Sequence, residues 1–174
     1  MTRATMILAS ALALMANPAA AQRALTLSVA GGGSLPVGQF QDAANTGWHA
    51  LVGIGLSTLM QPIGLRLDVA VNSFPAKSLD SDDFLTSATL NATYRLPMTN
   101  SPLSPYLITG LGAYRFDCTG DISCGGTTRF GWNAGLGSKI AALGLKWFVE
   151  SRFHAVDADA GSVRFVPITL GLTF

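Results

Sequence analysis

Glu150, Ser151 and His154 stand within five consecutive residues. They supply a carboxylate, a hydroxyl and an imidazole, the groups from which a hydrolytic nucleophile and its base are assembled. Other side chains invite further chemical readings. Asp80, Asp82 and Asp83 offer the oxygen ligands that gather divalent cations. Cys118 and Cys124 lie in a stretch rich in Gly, Asp and Thr, spaced for a local disulfide. Arg66 with Asp68, and Glu150 with Arg152, are opposite charges two positions apart. Which of these groups converge depends on the elements that carry them.

Those elements are strands. Period-two segments bounded by turn residues number eight: roughly Ala24 to Gly33, Gly47 to Ser57, Ile63 to Phe74, Leu85 to Pro97, Tyr106 to Asp117, Thr128 to Ala141, Leu145 to Asp157, and Val163 to Phe174. Each is about as long as a tilted membrane-crossing strand, which needs roughly 9 to 11 residues. Successive side chains of a strand point to opposite faces. Ser151 is therefore turned away from Glu150 and His154, and alternation splits the hydrolytic set.

The same alternation places Arg66, Asp68, Ala70 and Asn72 on one face of the third segment, with Ile63, Leu65, Leu67, Val69 and Val71 on the other. On the seventh it sets Lys146, Phe148, Glu150, Arg152 and His154 against Trp147, Val149, Phe153 and Ala155. A charge turned toward mid-bilayer lipid costs about 2–4 kcal/mol, so this sorting suits a barrel with lipid outside and a polar lumen. The fifth segment is ambiguous, because Leu107 and Leu111 alternate against Tyr106, Ile108 and Tyr114.

In an eight-stranded barrel the third and seventh strands face each other across a lumen just wide enough for side chains to fill. Arg66, Asp68, Glu150 and Arg152 are expected near mid-depth, with Asn91 and Asn133 at similar levels, pairing across the lumen as a plug and internal brace. Unpaired buried charge would be costly. The open variant of this lumen is a narrow pore favouring anions.

The ends of the chain fit export to a membrane. Arg3, the apolar run from Met6 to Met15, the breaker Asn17-Pro18 and the triplet Ala19-Ala20-Ala21 have the layout of a signal peptide over residues 1–21, cleaved near Ala21. The barrel domain is then residues 22–174. At the other end Val166, Ile168, Leu170, Leu172 and Phe174 form an apolar row against Pro167, Thr169, Gly171 and Thr173. Residues are 49% hydrophobic and 12% charged, and the acidic and basic totals nearly cancel at net +1, which argues against a nucleic-acid partner.

Connections alternate between short or Pro-bearing turns (Thr58 to Pro62, Met98 to Pro105, Ala142 to Gly144) and mostly longer loops (Ser34 to Thr46, Pro75 to Phe84, Cys118 to Thr127, Ala158 to Ser162). Short turns belong to the periplasmic end and long loops to the outside. Trp48, Phe130, Trp132 and Phe153 are expected in an interfacial belt near the long loops, with Tyr94, Tyr106, Trp147 and Phe174 near the short turns. Eight of the ten acidic residues are on or beside the long loops. They keep the outer end solvated.

Gly33-Ser34-Leu35-Pro36-Val37-Gly38-Gln39-Phe40 followed by Thr46-Gly47-Trp48, Pro105-Tyr106, Phe130-Gly131-Trp132-Asn133-Ala134-Gly135, Phe148-Val149-Glu150-Ser151-Arg152-Phe153-His154 and the terminal strand resemble the bacterial outer-membrane β-barrel domain family, of small OmpA/OmpX-like architecture. The resemblance implies an all-β, eight-stranded antiparallel up-and-down transmembrane β-barrel in the outer membrane. It implies lipid and lipopolysaccharide around the barrel and a terminal Phe174 read by the barrel-assembly machinery. A non-catalytic monomer in a structural or surface role is expected, with no cofactor and no metal, since two histidines, His49 and His154, are few for a site. The alternatives are a lipid-modifying barrel enzyme and a soluble periplasmic lipocalin-like binding barrel. Lipid A deacylases of this architecture carry F-x-H-x-S-N, which Phe153-His154-Ala155-Val156-Asp157 does not match.

Overall fold

Alternation carries through the described strands, and their pairing closes the sheet. The structure, a computed structural model, describes residues 23–58, 62–77, 82–98, 101–119, 126–158 and 161–174. The strands are β1 (Arg23–Val37), β2 (Gly47–Thr58), β3 (Ile63–Pro75), β4 (Asp82–Arg95), β5 (Leu103–Thr119), β6 (Thr127–Ala142), β7 (Leu145–Ala158) and β8 (Gly161–Thr173). A single helical turn, α1 (Phe40–Ala43), sits in the β1–β2 connection. Each strand pairs antiparallel with the next, and β8 pairs with β1, giving a closed eight-stranded barrel. Closure satisfies the backbone, as a sheet in hydrocarbon must.

The two faces of this sheet differ in kind. Leu25, Leu27, Val52, Ile54, Leu65, Leu67, Leu90, Leu111, Leu136, Ile168 and Leu170 are exposed on the outer wall, while Asp68, Asn91, Asn133 and Glu150 are buried inside. A soluble lipocalin-like barrel needs the reverse arrangement, with its apolar residues inside, so that reading is overturned. Among the described residues no helix is long and apolar enough to cross a membrane. Crossing falls to the strands.

Two prolines mark where the ladder can be interrupted. Beyond Ser34, β1 pairs only with β8, so Pro36 sits where one side of the strand has no partner strand. Pro167 lies in the gap between the pairs Ser151↔Ile168 and His154↔Phe165, where β7 and β8 lose register contact. At the inner end Leu143 and Gly144, with φ of 55° and 74°, make the two-residue turn between β6 and β7. Positive φ at both positions matches the right-handed twist of a hairpin.

Several expectations shift. β1 continues to Val37, into the stretch expected as loop. In the connection expected at Ala158 to Ser162, the shortest of the outer set, strand pairing runs as far as Ala158 with Gly161, whose φ of 131° suits glycine. The fifth strand is no longer ambiguous, since Tyr106, Ile108 and Tyr114 are buried and Leu107 and Leu111 exposed. Tyr106 is therefore not part of the inner aromatic belt, as Tyr94 and Phe174 on the exposed face are. Residues 1–21 and Cys124 lie outside the described residues, and the side chain of Cys118 is not described, so the signal peptide and the loop disulfide stay as sequence expectations.

Candidate functional site

The lumen is filled in layers, and the charged layer is set by β3 and β7. Arg66 Nη2 reaches across to both oxygens of Glu150, at 2.7 and 2.9 Å. Its Nε donates to Asp68 Oδ2 at 2.9 Å, and Arg152 Nη1 donates to the same oxygen at 3.0 Å. Arg152 Nε lies 2.8 Å from Glu150 Oε1, yet it makes no aligned hydrogen bond, so that contact is coulombic. Two guanidinium groups and two carboxylates thus form a closed ring of zero net charge.

Neutral side chains complete the ring. Tyr106 donates its hydroxyl to Glu150 Oε2 at 2.6 Å. Asn91 Nδ2 reaches Asp68 Oδ2 and Thr89 Oγ1, each at 3.0 Å, and Asn133 Nδ2 donates to Asn91 Oδ1 at 2.9 Å. Glu150 is 1% exposed, and in such a place each charge needs all of this compensation. Inward glycines make the room. A Cβ on Gly137 would come 2.5 Å from the Tyr106 ring, and one on Gly53 would overlap Asp68 Oδ1.

Toward the outer loops the next layer holds both histidines. His49 Nε2 is 2.9 Å from Thr169 Oγ1, and its Nδ1 is 3.4 Å from Ser34 Oγ, which donates to Asn72. His154 Nδ1 is 2.9 Å from the Tyr114 hydroxyl, and its ring stacks on Phe165 at 4.7 Å. A cavity of about 10 Å3 between the charged ring and the histidines has room for about one water. Above it Phe74, Leu85, Tyr114, Val156 and Phe165 form a buried apolar cluster, capped by Phe40 of α1, whose ring meets Phe74 edge-on at 5.0 Å.

Arg66, Asp68, Glu150 and Arg152 are thus brought together, with Asn91 and Asn133 beside them. Glu150, Ser151 and His154 are not: Ser151 is on the outward row between Val149 and Phe153, and His154 is buried in the lumen. Phe174 is exposed on the outer wall, with its N–H and C=O both bonded to Leu27. The sequence reading missed Tyr106 as a member of the ring and the whole phenylalanine cluster. Parity carried the signal, because Phe74 shares a face with Asn72, and Phe165 with Thr169.

Comparison with known families and structures follows the same architecture. The model of the outer membrane protein beta-barrel domain family matches residues 6–174. The chain belongs to this family. Its place is accordingly the outer membrane. Neisserial surface protein A is similar over 87% of this chain and 97% of its own, at 17% identity and a TM-score of 0.73. The attachment invasion locus protein of Yersinia pestis, solved with a heparin analogue, covers the same shares at 12% identity and a TM-score of 0.51. The outer membrane enzyme PagL matches over 87% of this chain and 99% of its own, at 16% identity and a TM-score of 0.51. No curated protein sequence matches. At such identities the likeness is one of fold, and a fold that hosts both surface proteins and an enzyme selects no activity.

Proposed function

We propose that this chain is a non-catalytic outer-membrane barrel with a sealed lumen, serving a structural or surface-interaction role as a monomer surrounded by lipid and lipopolysaccharide. The observation that carries this reading is the packed interior. The charged ring, the histidine layer and the phenylalanine cluster succeed one another along the axis, with a cavity of about 10 Å3 between them. Water and ions have no wide path through such a stack. In planar bilayers the purified protein should give no stepwise conductance, and regular steps at native pH would refute the seal.

The lipid-modifying enzyme is the competing reading, since PagL shares the fold. Against it, Ser151 lies on the face of β7 opposite His154, and His154 Nδ1 is engaged with Tyr114. Mass spectrometry of lipid A from cells with and without the chain discriminates the two. Identical lipid A supports the non-catalytic reading, and a lost or gained acyl chain would replace it. The same proposal assigns Phe174 as an assembly signal and Cys118 with Cys124 as a loop disulfide at the outer end.

A further inference from the structure

We propose that the inner mouth of the lumen is a binding site for a phosphate-type oxyanion. Below the charged ring, on the short-turn side, lies a cavity of about 60 Å3. Its floor is Arg66 and Tyr106, and its wall carries Arg95, Lys139, Thr93 and Ser104. By the measure of about 10–15 Å3 for one water, it holds about four waters or one tetrahedral oxyanion.

The charge in this mouth is unbalanced. The guanidinium of Arg66 is already committed to Glu150 and Asp68. Among the described residues no carboxylate lies within ion-pair distance of Arg95, Lys139 or Lys146. Lys139 instead holds its ammonium 5.7 Å from the centre of the Tyr106 ring. The sequence places no acidic side chain at this end to offset them. Of the ten acidic residues, Asp68 and Glu150 are in the neutral ring, and the other eight lie at or near the outer ends of the strands and their loops.

Two uncommitted cations, Arg95 and Lys139, with hydroxyl donors beside them at the inner end of the lumen, are suited to an oxyanion. Arg95 supplies a planar fork for two oxygens, Lys139 a point charge, and Thr93 and Ser104 neutral donors. The ligand has two natural sources at this depth: free phosphate compounds in the periplasm, and the headgroup phosphate of an inner-leaflet phospholipid.

The test uses the whole barrel in a phosphate-free detergent. Inorganic phosphate is titrated and followed by 31P line broadening, and phosphatidylglycerol retention is followed by native mass spectrometry. Arg95→Gln with Lys139→Gln should weaken binding at least tenfold, while Lys77→Gln, at the outer end, should leave it unchanged. If the double variant does not show the folded gel mobility, Lys139→Gln alone serves. Saturable inorganic phosphate binding supports the site with a soluble source. Lipid retention without inorganic phosphate binding supports it with a membrane source. Neither form of binding, or binding that a folded Lys139→Gln or double variant leaves intact, would overturn the proposal.

Discussion

Glu150→Gln isolates what the charged ring contributes. The substitution keeps the shape of the side chain and so creates no large cavity. It changes the ring from two cations and two anions to a net charge of +1, in a place where Glu150 is almost fully buried. Arg66 then loses its anion at 2.7 Å, Arg152 its coulombic contact at 2.8 Å, and Tyr106 a charged acceptor at 2.6 Å. Removing one partner of a buried pair costs about 3–5 kcal/mol, much of it from the charge left behind. Arg66→Met combined with Glu150→Gln removes that stranded charge, leaving Asp68 paired with Arg152 at 3.0 Å. The double variant should therefore recover about 2 kcal/mol or more relative to the sum of the single changes. Urea unfolding in lipid vesicles, followed by the fluorescence of Trp48, Trp132 and Trp147, gives all four corners of the cycle. A single variant within about 0.5 kcal/mol of the parent, a size ordinary for surface changes, would refute the reasoning.

Other consequences are local. Leu143, exposed with a φ of 55°, should be replaceable by Asn or Gly with a gain of about 1 kcal/mol in the same unfolding assay, since left-handed backbone brings Cβ against the following carbonyl oxygen, a cost that Gly escapes and Asn offsets by local hydrogen bonding. Gly53→Ala should destabilise by about 1–3 kcal/mol, because its Cβ would displace Asp68 from the ring. Phe74→Ala should not open conductance in planar bilayers, since the charged ring still closes the lumen beneath the aromatic cluster. Phe174→Ala keeps both backbone bonds to Leu27, so it should refold normally from urea while its yield in outer-membrane fractions falls.

How far the sequence can be read depends on how strongly each residue type is bound to one environment. Charges cannot face lipid, so Arg66, Asp68, Glu150 and Arg152 fixed the inward rows of β3 and β7, and with them the register of the site. Tyrosine suits a membrane interface and a polar lumen equally, which is why Tyr106 was misplaced and the parity of β5 stayed open. Phe74 and Phe165 turn inward by strand parity, and the ring of Phe40 from α1 meets Phe74 edge-on, a contact between distant segments that alternation does not foretell. Residues Ser34 to Val37 of β1 are in the stretch expected as loop. The strand runs on because only one of its neighbours extends that far.

Heat-modifiable mobility tests the central claim, a closed barrel with lipid outside and a braced polar lumen. The protein would be taken from an outer-membrane fraction and run on detergent gels with and without boiling. A folded band that shifts on boiling is the predicted result, since the paired sheet resists detergent until heated. Protein recovered in the soluble fraction with one unshifted band would contradict the account.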